Sequence, residues 1–149
     1  MTIRPLRADD PADVAAWHRL RRALWPDCEE AIHAAEVARH LMAGDTTVLV
    51  AEDGDSLVGF VELAVRERVE GSTEERVGYV EGWFVAEAHR GTGLGRALIE
   101  AAEDWTRARG LRELASDAEL SNTGSIAAHQ ALGFRETFRV VQFLKRLDG

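Results

Sequence analysis

The chain has 149 residues, the size of one ordinary domain, long enough to bury a core without disulfide or metal staples. Apolar residues make up 46% and charged residues 30%, and no apolar run approaches the roughly 18 residues that a membrane-spanning helix needs. Against 18 basic residues stand 26 acidic ones, a net charge of −8 that argues against broad contact with nucleic acid and is compatible with a cationic small molecule.

Cys28 is the single cysteine, so no internal disulfide can form. The opening Met1-Thr2-Ile3-Arg4-Pro5 lacks the apolar core of a signal peptide. A cytoplasmic protein is the expectation. Residues 2–7 alternate and predict a first strand. Asp9 and Asp10 are candidate caps for a helix with Pro11 in its first turn. That helix carries Val14, Trp17, Leu20, Arg21 and Leu24 at near-helical spacing and ends at Pro26. A second helix is predicted over 29–42, stopped by Gly44. Strands follow over 46–52 and 57–66, joined by a turn at Asp53-Gly54-Asp55. A polar loop spans 67–75, and a third long strand spans 77–85.

Arg90-Gly91-Thr92-Gly93-Leu94-Gly95 then joins a buried strand to an amphipathic helix over 95–109, stopped by Gly110. Three glycines let the backbone turn tightly and aim several N–H groups in one direction, and the helix adds the positive end of its dipole. Such a junction suits a pyrophosphate. A strand over 111–116, a short helix over 123–132 and one or two strands over 134–144 complete the chain. The order is a mixed α/β sheet with helices on both faces.

Residues 80–95, Asn122 and Gly133-Phe134 together resemble the GNAT family of acetyl-CoA-dependent N-acetyltransferases, whose Gln/Arg-x-x-Gly-x-Gly/Ala signature is met by Arg90 to Gly95. Further segments look like the aminoglycoside 6′-N-acetyltransferases: Leu24-Trp25-Pro26, Tyr79 to Val85, Ala115-Ser116-Asp117, Ser121-Asn122-Thr123 and Ala131 to Phe134. The resemblance covers essentially the whole chain as one GNAT domain over residues 1–149. It implies a mostly antiparallel mixed sheet of about six to seven strands with splayed central strands.

The resemblance also implies acetyl-CoA as acetyl donor, with no metal. Trp83, Phe84 and Val85 would bond the pantetheine as a sheet edge bonds an added strand. Arg90, Gly91, Thr92, Gly93, Leu94 and Gly95, with Arg96, would meet the pyrophosphate, and Asn122 would contact the cofactor or cap the short helix. The amine arrives as an ammonium, so the site must bind a cation, accept a proton and stabilise an oxyanion. Glu81, within an apolar strand, and Asp117, at a strand end, are the candidate carboxylates. Their plainer roles are a salt bridge within the sheet and a turn cap.

Trp25 is a candidate aromatic wall or a core residue. His129 is a candidate proton donor to the departing thiolate, in place of the tyrosine that many GNAT enzymes carry, or a packed helical histidine. Cys28 has no obvious partner base, so direct transfer is simpler than an acyl-enzyme. Three positions depart from the aminoglycoside pattern: Arg68 where a tyrosine is usual, Phe138 where an acid is frequent, and Gln142 where an aromatic is frequent. Arg68 and Phe138 are thus substrate-facing expectations with altered chemistry. A 6′-amino aminoglycoside is the leading acceptor. The alternatives are a polyamine, an amino acid derivative or a protein amine, or a non-catalytic acyl-CoA-binding module. A homodimer built through the apolar Val140, Val141, Phe143 and Leu144 is also expected.

Overall fold

A computed structural model describes residues 1–148. Five strands form one sheet in the order β1-β2-β3-β4-β5: β1 (Thr2–Pro5), β2 (Thr46–Asp53), β3 (Ser56–Glu67), β4 (Arg76–Val85) and β5 (Leu114–Ser116). The first four run antiparallel to their neighbours, and β5 joins β4 in parallel. The expected count of about six to seven strands is corrected to five among the described residues. The difference lies in 134–144, which forms no strand: Phe134 packs on the core, but beyond it the apolar side chains face solvent, Val140 being 75% exposed and Leu144 97%. Alternation there marks a segment able to pair, and among the described residues it pairs with no strand.

Helices cover both faces. α1 (Pro11–Leu24) and α2 (Glu30–Met42) pack on one, where Trp17 and Val37 meet Val48, Val50 and Phe60. α3 (Leu94–Ala108) packs on the other, setting Leu94, Leu98, Ile99 and Ala102 against Leu49, Ala51, Val61, Leu63 and Val80. Those four α3 positions repeat at helical spacing, and full burial of each large aliphatic side chain contributes about 1.5–3 kcal/mol. α4 (Thr123–Ala131) is shorter and capped by Asn122, whose side-chain oxygen accepts from the Ser125 N–H at 3.1 Å.

Two irregularities in β4 position the site. Its pairing with β3 slips at Glu62/Leu63, which face Gly82 and Val80, so Glu81 is the extra residue of a β-bulge. The bulge is visible in the packing. Val80 belongs to the α3-facing core, whereas Gly82, two residues on, lies under Trp25 on the α1 face. Its pairing with β5 stops at Val80–Ser116, and the two strands diverge beyond that point.

Asp13 ties the start of the chain to α1. Buried on the inner face of the helix, it accepts from both guanidinium nitrogens of Arg4, at 2.8 and 2.9 Å, and from the Arg7 N–H at 2.7 Å. The Arg4 bonds hold its carboxyl below the ordinary aspartate range, with burial opposing. A depressed folded pKa places the stabilisation above the unfolded value of about 3.9 and removes it as pH falls through the folded value. Asp13→Asn is therefore expected to lower unfolding free energy by about 1–3 kcal/mol at pH 7. Urea titrations at pH 7 and at successively lower pH should show the gap between the two proteins closing in acid.

Candidate active site

A cleft of about 810 Å³ opens between α1, α2 and the fork of β4 and β5. At one end stand Trp25, Pro26, Asp27 and Cys28, and at the other Ser116, Asp117, Asn122, Ser125 and His129. Six carboxylates line it (Asp27, Glu36, Glu62, Glu81, Asp117 and Glu119) against two arginines, Arg21 and Arg39. A wall with that balance of charge attracts cations.

The Trp25 ring is fixed from several sides. Trp25 closes α1, giving its N–H to the Arg21 carbonyl at 2.9 Å, and its own carbonyl accepts from His33 Nε2 at 3.2 Å. The Arg21 guanidinium stacks on its ring at 4.7 Å. Beneath it lies Gly82, where a Cβ would come within 2.7 Å of the ring, so the close approach depends on glycine.

Arg21 and Glu62 form the floor, and both are nearly fully buried. Arg21 pairs with Glu62 and with Glu36, and the Trp17 indole N–H donates to Glu62 at 2.9 Å. Reading by residue type alone passes over this group. Its signal was nonetheless present: an arginine among the core-facing positions of α1, and a glutamate within the apolar run 57–65. Opposite charges at two inward positions are tolerable only as a pair.

At the fork both predicted carboxylates already have partners. Arg66 grips Glu81 through two nitrogens, at 3.0 and 2.5 Å, and lies 3.6 Å over the Tyr79 ring. Burial works against the Arg66 charge, and the bonds to Glu81 outweigh it, holding the guanidinium firmly protonated. Tyr79 donates its hydroxyl to Asp117 at 2.5 Å. Burial, reinforced by that bond, pushes the phenol well above its ordinary range, so it stays a donor.

His129 reaches the same fork from α4. Its ring meets Trp83 and Phe134 edge-on, each at 5.2 Å between centroids. Its Nδ1–H donates to the Ser125 carbonyl at 2.7 Å, and its Nε2 lies 2.7 Å from Ser116 Oγ.

Beyond the fork, β4 runs through Trp83, Phe84 and Val85 to the glycine junction. Gly91 (φ 77°) and Gly93 (φ 87°) occupy the left-handed region, and at neither would a Cβ meet another atom within 4 Å. Gly93 is the N-cap of α3, which has no side-chain cap and no acidic residue in its first turn. By contrast α1 has Asp10 as cap and Asp13 in its first turn. The α3 terminus therefore keeps its unbonded N–H groups and positive dipole end for an anion, which fits a pyrophosphate. Arg90 folds back, its Nε donating to the Val85 carbonyl at 2.9 Å, while Thr92 and Arg96 are exposed beside the bend. Gly95 has a different reason: a Cβ there would lie 3.3 Å from the Trp83 ring.

The remaining two predicted residues lie elsewhere. Arg68 sits in the β3–β4 turn with φ 55°, lining a shallow hollow over 68–75. Phe138, 54% exposed, follows Thr137, which packs against Gly71 of that same turn. Neither lines the cleft. No group of metal-ligating side chains occurs among the described residues, and no helix among them is long and apolar enough to cross a membrane.

Comparison with known proteins agrees with this geometry. The Acetyltransferase (GNAT) family profile matches residues 15–134. An aminoglycoside N(6′)-acetyltransferase type 1 from Stenotrophomonas maltophilia is 42% identical over 144 residues, covering 96% of this chain and 94% of that protein. One from Acinetobacter haemolyticus is 38% identical, covering 99% and 100%. Among solved structures, the apo aminoglycoside 6′-N-acetyltransferase AAC(6′)-IG from Acinetobacter haemolyticus superposes with a TM-score of 0.89 at 37% identity, covering 99% and 100%. AAC(6′)-Iy, in complex with the bisubstrate analogue CoA-S-monomethyl-acetylneamine, superposes with a TM-score of 0.87 at 34% identity, covering 98% of each chain. With its glycine bend at an uncapped helix end and its forked, bulged β4, the chain belongs to the GNAT family of acetyltransferases, and its relatives there are aminoglycoside 6′-N-acetyltransferases.

Proposed function

We propose that this protein transfers the acetyl group of acetyl-CoA to the 6′-amine of an aminoglycoside, by direct attack in a ternary complex. The carrying observation is that a carboxylate-lined cleft walled by Trp25 runs into the β4–β5 fork beside the uncapped end of α3.

Main-chain N–H groups from Gly91 to Arg96 hold the pyrophosphate, and the main chain of Trp83 to Val85 receives the pantetheine amides as an added strand. Asn122 caps α4 and still lines the cleft, where its amide can donate to the cofactor. Trp25 supplies a flat wall for an amino-sugar ring. Glu81 and Asp117 receive the ammonium, and one of them takes the proton that must leave before the nitrogen can attack. The bulge at Glu81 frees a main-chain N–H from the β3 ladder at the fork, where an oxyanion would form. Thiol release from acetyl-CoA across a panel of amines tests the reading: fast release is expected with 6′-amino aminoglycosides. Release only with polyamines or peptides would move the acceptor. Binding without release would leave an acyl-CoA-binding module.

For the acceptor to reach Glu81, Arg66 has to give way or share it. Asp117, whose partner is a neutral phenol, is the carboxylate more open to a cation. Asp117→Asn is expected to cost about 1.5–3 kcal/mol of transition-state stabilisation, roughly 10- to 150-fold in kcat/KM for the amine. Steady-state kinetics with the amine varied at saturating acetyl-CoA checks this.

The same reading includes a homodimer. Phe138, Val140, Val141, Phe143, Leu144 and Leu147 are all more than half exposed on one short segment, and a second copy would cover them. Sedimentation at micromolar concentration should give a dimer, and Val141→Asp with Phe143→Asp should shift it to monomer.

A further inference from the structure

The hydrogen bonds around His129 fix where its protons lie. The Ser125 carbonyl can only accept, so His129 Nδ1 carries the proton that fills the 2.7 Å contact. In the neutral ring Nε2 is then a lone pair, and the 2.7 Å contact to Ser116 is a bond donated by the Ser116 hydroxyl. Hydroxyl, imidazole and carbonyl thus form a chain in which the third group orients the second and the second is a base toward the first. Ser116 is the last β5 residue paired with β4, so its hydroxyl stands where the strands part and lines the cleft.

We propose that Ser116 is the group that touches the reacting atoms, and that His129 acts through it as a proton store, carrying one proton from the attacking nitrogen to the departing sulfur. The inference rests on the acetyl-transfer reading above. Attack of the neutral amine forms the C–N bond and leaves an extra proton on nitrogen. Ser116 Oγ takes that proton while giving its own to His129 Nε2. When the C–S bond breaks, its electron pair goes to sulfur, Ser116 delivers a proton there, and His129 Nε2 restores the hydroxyl. The amide and the thiol leave, and both side chains end as they began. No outside acid is consumed, and the tyrosine that many GNAT enzymes use has no necessary part. The edge-on rings of Trp83 and Phe134 keep the imidazole in this orientation through the cycle.

Two measurements test it, with the best amine from the panel. In steady-state kinetics, Ser116→Ala should lower kcat by about 100-fold or more while KM for acetyl-CoA stays within about threefold. His129→Gln should cost about the same, the double variant no more than either, and Ser116→Thr should recover most of the loss. Nitrogen-15 shifts of the imidazole in the free protein should place the neutral ring's proton on Nδ1, a readout independent of turnover. The proposal fails if Ser116→Ala turns over within threefold of the wild type, if the two losses simply multiply, if the proton sits on Nε2, or if an acetyl adduct accumulates on Ser116. Absence of wild-type turnover with every amine would overturn the acetyl-transfer reading and this one with it. Turnover that survives Ser116→Ala would overturn this one alone.

Discussion

The site depends on β4 leaving β5 after Val80–Ser116. A parallel pair that continued would spend the main-chain groups of Trp83 to Val85 on its own ladder, leaving none to receive an extended ligand. Because the strands part, the following stretch of β4 becomes an internal edge open to the cleft. The bulge at Glu81 works at the same place. It turns Val80 into the α3-facing core and Gly82 toward Trp25, and so aims one strand at both the donor side and the acceptor side of the cleft.

Holding the fork open requires support from both faces. On the donor side α3 is anchored by Leu94, Leu98, Ile99 and Ala102, which fixes its uncapped N-terminus at the end of β4. On the acceptor side the anchor is polar. Arg21 sits between Glu62 and Glu36 and stacks under Trp25, so the charge that orients the aromatic wall is itself neutralised twice over. A buried ion pair contributes little net stability. Its value here is positional, since a leucine at Arg21 could fill the volume but could not hold a ring plane and two carboxylates in register.

Much of this was legible in the residues. Gly91 and Gly93 announced a bend before α3, suited to an anion at the helix end. Helix and strand order followed from periodicity, because each core face is a regular stripe. Other features depend on contacts between distant positions and escaped that reading. The bulge at Glu81 shows only when β3 and β4 are paired. The Arg21–Glu62 floor needs 41 residues of separation to close. Ser116 lay in a segment already matched to the aminoglycoside enzymes, yet nothing in its neighbours suggested His129, which is 13 positions on and bonded through the fold. The final segment misled for the opposite reason. Its alternation is real, but a strand also requires a paired neighbour, and among the described residues this segment has none.

The electrostatics of the fork connect these features to substrate choice. Glu81 and Asp117 face the same opening, yet one is held by a guanidinium and the other by a phenol. Arg66 therefore already bonds both oxygens of Glu81, whereas Asp117 accepts from a neutral hydroxyl. An incoming cation gains only the difference between its own bonds and those of Arg66. A polycation with several amines can offset that difference by meeting other carboxylates along the cleft, whereas a single amine cannot.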